Sequence, residues 1–527
     1  MKLSTKLPFF AAIVVMAVFL VKGIILNTIN PTETATALSI TSITSNVGAT
    51  TGGELVTITG DFDIPHVPTD IVQISASAHS LVLTRDNRLF SWGLGGRLGD
   101  GTWATSVIPV EVDMTGVLSG KTISYITTSN IHSLALSDEG RVYGWGVNDA
   151  GQIGDGTNIW RISPVAVDTT GVLAGKVVVQ LFTGSNGFSL ALSSDGNLYA
   201  WGGSGNPGTI ISMGNGTWGN SNVPVAVDMT GVLAGRTITQ AATGAHALVL
   251  DDEGNIFAWG NNASGQFGDG TTNSSNVPIA IDMSSVLDSG EVITYVAANY
   301  SSSFALSNYG NLFAWGNNSH GQLGNGTNIN SSVPIQVNTH GALAGHNVQK
   351  ISAAGGAGVL AQDSEGNLFT WGENYKGQLG DGTFINSLSP VAVYSSGALA
   401  GRTITQISAG VWHSLVLDSN GYVIAWGDNE LGAIGVPTST IYSNVPVLSV
   451  NLGTAPITNS IESITLGGLL CTNITVINPS TITCITPAHP AGVVDVTVNT
   501  TAGSATLYQS YTFVDAPDVP NTGHPRI

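Results

Sequence analysis

Hydrophobic and polar positions follow one pattern that returns seven times between about residue 71 and residue 450. Each unit contains two short apolar runs separated by a polar turn that ends in Gly, as in Asp138-Glu139-Gly140. Two such runs around a tight turn predict a β-hairpin. A Gly-rich loop, an Asp-Gly-Thr or Asn-Gly-Thr turn and a Val-rich run containing Pro complete the unit. Each unit is therefore predicted to form about four short strands.

A Trp-Gly pair marks the end of the second apolar run in every unit, and successive pairs lie 53 to 58 residues apart. Units of nearly constant length indicate a closed or stacked array. Four-stranded sheets repeated around an axis form the blades of a β-propeller, in which a large ring fills the wedge between neighbouring sheets. The tryptophans that we expect at these places are Trp92, Trp145, Trp201, Trp259, Trp315, Trp371 and Trp426.

The repeated phrase is clearest in the fifth unit, which reads FALSNYGNLFAWGNNSHGQLGNGT from Phe304 to Thr327. This phrase resembles the regulator of chromosome condensation repeat, and the resemblance covers about residues 71–450. It implies a propeller of seven blades. A linker between units, such as Asp113 to Gly120, departs from the usual repeat and resembles prokaryotic surface proteins of this family.

The segments on either side of the repeats resemble two parts of one IPT/TIG domain, an immunoglobulin-like β-sandwich. A fragment as short as the first part cannot bury a core alone, so two independent half-size regions are the weaker alternative. We predict an all-β chain in which a seven-bladed β-propeller splits the sandwich. The predicted divisions are 1–37 (signal peptide or membrane anchor), 38–62 (first part of the IPT/TIG domain), 63–455 (propeller), 456–514 (second part) and 515–527 (tail).

The N-terminus begins with Lys2 and Lys6, continues with an apolar run from Leu7 to Val21, and reaches a small-x-small triplet at residues 35–37. This order is typical of an export signal, which is either cleaved or retained as an anchor. In the tail, Val519-Pro520-Asn521-Thr522-Gly523 resembles a sortase signal. A defective signal, a truncated chain and a chance match all remain open. We expect an exported protein, secreted or attached to the cell surface through its termini.

Composition and charge narrow the function. The chain has 67 Gly and only 9% charged residues, which excludes a helical bundle. Its net charge is -19, with 15 basic residues against 34 acidic ones, which opposes nucleic-acid binding. Its two cysteines, Cys471 and Cys484, are expected to form a disulfide in an oxidising compartment. Two thiols with no His-rich partner spacing do not predict a metal site.

Two kinds of repeated polar residue suggest chemistry. His79, His132, His246 and His413 share one place in their units, but Phe188, Ser302 and Gly358 occupy it elsewhere, so we predict hydrogen-bonded packing rather than a metal ring. The Asp-Gly-Thr aspartates are read as turn formers rather than calcium ligands, because Asn replaces them freely. No catalytic motif is found. We predict a non-enzyme without cofactor or metal.

Trp103, Trp160 and Trp218 follow the Asp-Gly-Thr or Asn-Gly-Thr turn in three adjacent units. They would form a contact patch on one rim of the propeller, because Trp is favoured in interface hot spots; packing across the outer strands is the open alternative. We predict an exported binding or adhesion module for an extracellular protein or glycan, with a monomeric propeller. The alternatives are a guanine-nucleotide-exchange regulator, implied by the family, and a polysaccharide-active propeller enzyme.

Overall fold

A computed structural model describes residues 39–44, 46–61, 71–184, 187–203, 212–353, 356, 358–436, 439–449, 461–478, 481–500 and 503–515. The described residues are almost entirely β-strand, with two short 3-10 turns at Gly341–Leu343 and Gly397–Leu399. They form two compact units, one from the strands before residue 65 and after residue 456, and the other from residues 65–456. The predicted all-β class, a propeller together with a sandwich, is confirmed.

Three strands precede the propeller: β1 (Ser39–Thr44), β2 (Val47–Ala49) and β3 (Leu55–Asp61). The propeller unit contains, within the described residues, seven four-stranded antiparallel sheets, which we call blades one to seven. Blade one is β4 (Ile71–Ala76), β5 (His79–Thr84), β6 (Leu89–Gly93) and β7 (Ser106–Glu111); blade two is β8 (Ile123–Thr128), β9 (His132–Ser137), β10 (Val142–Gly146) and β11 (Arg161–Ala166); blade three is β12 (Val178–Thr183), β13 (Phe188–Ser193), β14 (Leu198–Gly202) and β15 (Ser221–Ala226).

The remaining four blades repeat this order. Blade four is β16 (Ile238–Thr243), β17 (His246–Asp251), β18 (Ile256–Gly260) and β19 (Ser275–Ile281); blade five is β20 (Ile293–Ala298), β21 (Ser302–Ser307), β22 (Leu312–Gly316) and β23 (Ser331–Gln336); blade six is β24 (Val348–Ala353), β25 (Gly358–Asp363), β26 (Leu368–Gly372) and β27 (Ser387–Ala392); blade seven is β28 (Ile404–Ala409), β29 (His413–Asp418), β30 (Val423–Asp428) and β31 (Tyr442–Leu448).

The antiparallel order of each blade gives the propeller two different edges. The connections after the first and third strands lie at one edge, which we call the loop edge, because the chain reverses direction at every strand. The hairpin turn after the second strand and the linker to the next blade lie at the other edge, which we call the turn edge. The long connection between the third and fourth strands, which carries the Asp-Gly-Thr turn, therefore belongs to the loop edge.

The seven tryptophans of the Trp-Gly pairs are completely buried, as large rings between sheets should be. Five of their indole Nε1 atoms donate a hydrogen bond to a backbone carbonyl of the preceding blade. Trp315 donates to Gln266 O at 2.8 Å, and the Ser303 hydroxyl donates to the same oxygen at 2.6 Å. These five seams between blades thus join apolar packing to a buried acceptor. The other four donors are Trp92, Trp201, Trp371 and Trp426.

The last blade is bonded to the first, so the ring is closed. Trp92 of blade one donates through Nε1 to Ala433 O of blade seven at 2.9 Å. The Gln406 side chain donates to Val72 O at 2.7 Å and accepts from Ile74 N at 3.1 Å, so one amide bridges two inner strands. Gln73 and Gln240 make the same bridge between other blades.

The sandwich unit is completed by β32 (Ile461–Leu466), β33 (Leu469–Leu470), β34 (Thr472–Asn478), β35 (Thr481–Ile485), β36 (Gly492–Thr500) and β37 (Gly503–Val514). One sheet has the order β1-β3-β35-β34, and the other has the order β2-β37-β36-β32-β33. Each sheet therefore combines strands from both ends of the chain. Val56 and Ile58 of β3 enter the same core as Ile482, Val496 and Phe513.

Cys471 and Cys484 form a disulfide within this core, joining the start of β34 to β35. The predicted export signal at 1–37 and the sortase-like segment at 519–523 lie outside the described residues. In the part of the chain that the structure describes, no helix has the length and apolar character needed to cross a membrane.

Candidate binding surface

In several blades the long connection of the loop edge is fixed by a buried asparagine at its start, a place that Gly95 occupies in blade one. In blade two, Asn148 donates through Nδ2 to Asp155 Oδ1 and to Thr157 O, both at 3.0 Å, and its Oδ1 accepts from Ile153 N at 2.9 Å. Asn262, Asn318 and Asn374 make corresponding bonds in blades four, five and six. One side chain therefore holds the whole loop in a single conformation.

The Asp-Gly-Thr turns are closed by the protein's own donors. Asp155 Oδ1 accepts from Thr157 N at 3.0 Å and from Thr157 Oγ1 at 2.8 Å, which is an Asx turn. Burial raises the pKa of Asp155, but hydrogen bonds from Thr157 and Arg161 outweigh it and bring the pKa below its ordinary value. The same turn forms at Asp100, Asn215, Asp269, Asn325 and Asp381. The turn explains these residues without a calcium ion.

The structure brings two of the three predicted rim tryptophans together. The ring centroids of Trp103 and Trp160 lie 5.5 Å apart with the planes tilted by 39°. Trp160 donates through Nε1 to Asp149 Oδ1 at 2.6 Å, which fixes its orientation. Trp103 is 62% exposed, so the pair presents aromatic surface to solvent. We call Trp103 and Trp160 the tryptophan pair.

Gly96 lies directly against the rings of the tryptophan pair. Its φ is +72°, and a Cβ atom there would stand 2.9 Å from a Trp103 ring carbon and 3.8 Å from a Trp160 ring carbon. Both the backbone conformation and the close approach of the rings therefore require glycine.

Trp218 lies in the equivalent loop of blade three and is 50% exposed. Within the described residues it makes no ring contact with the tryptophan pair. Trp218 and Trp103 both directly follow the Thr of the turn, whereas Trp160 is the third residue after it, so the two rings that meet come from different loop positions.

Other exposed apolar residues lie shortly after the turn in blades two, five and six, and sequence reasoning missed them. Phe384 directly follows the turn in blade six, where Trp103 stands in blade one. Ile159, Ile329 and Ile385 stand one residue further on, and Ile385 is 74% exposed. Aligning the units on their Asp-Gly-Thr turns would have revealed them. The loop edge thus carries apolar tips on several blades around the ring.

The four repeated histidines lie inside the seams and not on the surface. His79, His132 and His246 each place Nε2 2.7 to 2.8 Å from a serine hydroxyl of the next blade, and His413 lies 3.0 Å from the Ser80 hydroxyl of blade one. Burial lowers the pKa of His132 and His246 to about 3 and that of His413 to about 4. The predicted hydrogen-bonded packing of these histidines accounts for them.

The inner strands of the blades line a central cavity of about 530 Å³. Tyr125 of blade two and Tyr295 of blade five both reach its wall. Burial in the channel, with a smaller effect of Tyr295, raises the pKa of Tyr125 to about 12, so the phenol stays neutral. Towards the loop edge the wall narrows to small hydroxyl and methyl side chains such as Ser75, Thr183 and Ala298.

The closed ring of four-stranded blades and its apolar loop tips define the class: a repeat propeller of the kind that serves as a protein-binding module, accompanied by an immunoglobulin-like sandwich. Comparison with protein families names both parts. The chain carries regulator of chromosome condensation repeats and an IPT/TIG domain. Models of the Regulator of chromosome condensation (RCC1) repeat match residues 139–192, 253–306, 309–360 and 365–417, and also 125–152, 293–322 and 404–433.

The IPT/TIG model matches residues 442–514. The structure distributes this region differently, because β31 within it pairs with β30 of blade seven. The sandwich takes its other strands from the N-terminal side, where β3 pairs with β35 in antiparallel register and β2 with β37 in parallel register.

Among curated proteins, the Ultraviolet-B receptor UVR8 of Arabidopsis thaliana is 29% identical over 377 residues, which covers 71% of this chain and 80% of the receptor. The E3 ubiquitin-protein ligase HERC2 of Homo sapiens is 28% identical over 354 residues, 66% of this chain but only 7% of the ligase. Yeast RCC1 (Prp20), solved bound to Kap60, has a TM-score of 0.60 at 23% identity and covers 80% of this chain and 93% of that chain. This last likeness shows the fold.

Proposed function

We propose that this chain is an exported binding module, secreted or held at the cell surface, which grips an extracellular protein with the loop edge of its propeller. The tryptophan pair is the centre of the contact surface, and the apolar tips on neighbouring blades, Trp218 among them, extend it. The observation that carries the proposal is an exposed pair of aromatic rings in contact with each other, one of which lies on a loop that buried Asn148 holds.

Two physical arguments support this surface. Tryptophans contribute large contact areas and are enriched where interfaces lose water completely. A rigid surface also loses little conformational entropy on binding, and this one is held by bonds of Asn148 and Asp149 in the Trp160 loop and of Asp100 in the Trp103 loop. The exposed apolar side chains at the loop tips do not help to hold the fold together, because they face solvent.

Three features support an extracellular setting. The disulfide between Cys471 and Cys484 is of a kind that persists in oxidising compartments. The basic and then apolar N-terminal sequence is typical of export, and attachment to a membrane or cell wall would use the termini alone. The net charge of -19 favours a partner that is not a nucleic acid.

The test uses the full chain with a photo-crosslinking amino acid in place of Ile159, which lies beside the tryptophan pair and is 60% exposed. The bait is offered to surface proteins and, separately, to cell-wall glycans. A crosslinked protein should then bind the purified full chain with measurable affinity by surface plasmon resonance. W103A/W160A should weaken this binding at least tenfold, and W218A should weaken it less.

The matched control is Y309A, which removes another exposed aromatic ring, in the hairpin turn between β21 and β22 at the turn edge. It should leave the affinity unchanged. Equal affinity of W103A/W160A and the unaltered chain would overturn the proposed surface. Retention of glycans instead of proteins would overturn the partner class.

A further inference from the structure

The turn edge of the propeller carries a repeated ion pair. In several blades the residue that follows the linker Gly is a cation, and this cation pairs with a carboxylate of the hairpin turn. Lys121 lies 2.9 Å from Glu139 in blade two, and the same arrangement joins Lys176 to Asp195 and Arg402 to Asp418. This place in the repeat is therefore a cation site filled by the protein itself.

Blade four shows the fullest form of this site. Its turn has two acids, Asp251 at the end of β17 and Glu253 two residues later, and Arg236 lies between them. Arg236 Nη1 is 3.2 Å from Asp251 Oδ2 and 2.6 Å from Glu253 Oε2. One guanidinium thus satisfies both carboxylates.

Blade six has the same two acids, Asp363 and Glu365, but His346 replaces the arginine. His346 Nδ1 lies 2.6 Å from Asp363 Oδ2, and the available ligand atoms of all three residues lie within 4.8 Å of one another. An arginine is permanently charged and offers no lone pair to a metal, whereas an imidazole nitrogen is a common metal ligand. The replacement changes a site filled by a cation into a site that can receive one.

Neighbouring groups hold these three side chains in place. Asn367 donates through Nδ2 to Asp363 Oδ2 at 2.8 Å and to Glu365 Oε2 at 3.4 Å, so it directs both carboxylates to the same point. The imidazole of His346 packs against the Phe369 ring with centroids 4.9 Å apart. Buried Asp363 also accepts two backbone N–H bonds through Oδ1, which leaves Oδ2 facing the imidazole.

We propose that His346, Asp363 and Glu365 bind a divalent transition-metal ion, with Zn²⁺ as the best fit. One imidazole and two carboxylates are ligands that Zn²⁺ accepts at about 2.0–2.2 Å. The exposed Glu365 side chain rotates inward to reach this distance. A cavity of about 530 Å³, lined by His346, Glu365 and Arg402 among others, gives the ion an entry path and room for water as a fourth ligand.

This site lies at the turn edge, so it is independent of the tryptophan pair at the loop edge. Metal binding there would join the linker before blade six to the hairpin turn of that blade, a connection that other blades make with Lys or Arg.

The full chain, freed of metal with a chelator, is titrated with zinc chloride by calorimetry, and bound zinc is measured after dialysis by emission spectroscopy. One zinc ion per chain should bind. H346R copies blade four and should abolish this binding, and E365Q, a change at an exposed side chain, should weaken it at least tenfold. Thermal unfolding establishes that both variants are folded.

H340R is the matched control, because it adds the same charge at an exposed histidine six residues away. It should retain the zinc ion. Undiminished binding in H346R, or an equal loss in H340R, would overturn the proposed site. Loss of zinc in H346R with unchanged protein binding at the loop edge would separate this inference from the proposed function.

Discussion

The seams between blades and the tips of the loop edge differ in how far the repeat constrains them. In the seams, a tryptophan, a serine and a backbone carbonyl recur with nearly the same distances, as between Trp201, Ser189 and Gln152 and between Trp315, Ser303 and Gln266. At the tips, the residue after the turn Thr varies from Trp103 to Thr272 to Phe384. Seam residues are buried and bonded on both sides, so few replacements fit them.

This difference indicates where stability and recognition reside. A closed ring needs every seam, because an open seam would expose two apolar sheet faces. Where the buried side chain of Asn148 or Asn374 holds the loop, the exposed residue at the tip can be replaced without altering the conformation of the loop. The comparison predicts large stability losses for seam substitutions and small ones at the tips.

The largest effect is expected for Trp315→Ala. The ring is completely buried and its Nε1 donates to Gln266 O, so its removal should lower the free energy of unfolding by about 3–5 kcal/mol. Urea unfolding followed by tryptophan fluorescence measures this loss. All 11 tryptophans lie between residues 92 and 426, so the signal reports on the propeller and not on the sandwich.

Two phenylalanine variants would isolate the contribution of the indole hydrogen bond to the stability of a seam. Trp145 is equally buried, but its Nε1 has no hydrogen-bond partner among the described residues, and Arg97 stands in its preceding loop where blades two, four, five and six have Gln. Trp315→Phe should therefore destabilise by roughly 1 kcal/mol more than Trp145→Phe, since only the first loses a bond. Equal losses would show that the shared carbonyl contributes nothing.

The second effect concerns pH and the seam histidines. Burial lowers the pKa of His246 from its ordinary 6.5 to about 3. Between these values the unfolded chain binds a proton that the folded chain refuses, so stability is full above pH 6.5 and declines as the pH falls towards 3. His246 alone should lose about 2 kcal/mol of unfolding free energy between pH 7.5 and pH 5.

His246→Ser isolates this contribution, because Ser302 occupies the same place in blade five and bonds there to Asn317 O. The difference in unfolding free energy between pH 7.5 and pH 5 should shrink by about 2 kcal/mol relative to the unaltered chain. His340→Ser, at an exposed histidine, should leave it as it was. A pH dependence that His246→Ser does not alter would contradict a buried neutral imidazole.

Much of the fold could be predicted because its causes are local. The Trp-Gly spacing and the turns before it mark a hairpin in each unit, and the apolar alternation within the runs predicts which strands are buried. The pairing of β3 with β35 joins segments more than 400 residues apart, and only the resemblance to a known domain suggested it. Hydrogen bonds such as Gln406 to Val72 O, which close the ring, could not be predicted, since nothing in the repeat distinguishes them.

The candidate site was harder to predict, since side-chain meetings depend on loop paths. Three tryptophans follow the same turn motif, yet the ring contact is between Trp103 and Trp160. This contact depends on the close approach of the rings to Gly96 and on the hydrogen bond from Trp160 to Asp149. The group of His346, Asp363 and Glu365 is not apparent in the sequence because β24 and nearly all of β25 lie between His346 and Asp363. Aligning the units would have shown His346 and Glu291 as the two departures from Lys or Arg after the linker Gly.

The smallest loss of stability is expected for substitutions in the tryptophan pair, which should weaken partner binding most. Trp103→Ala and Trp160→Ala each remove a partly exposed ring from a loop that other bonds already hold, through Asp100 in blade one and Asn148 in blade two, so each should cost no more than about 0.5 kcal/mol. Urea unfolding of the double variant should therefore stay within about 1 kcal/mol of the unaltered chain. A loss as large as that of Trp315→Ala would place these rings with the seams, as structural residues that pack across the outer strands. A small loss of stability together with weakened partner binding would instead mean that the two indole rings serve recognition, because the propeller folds without them.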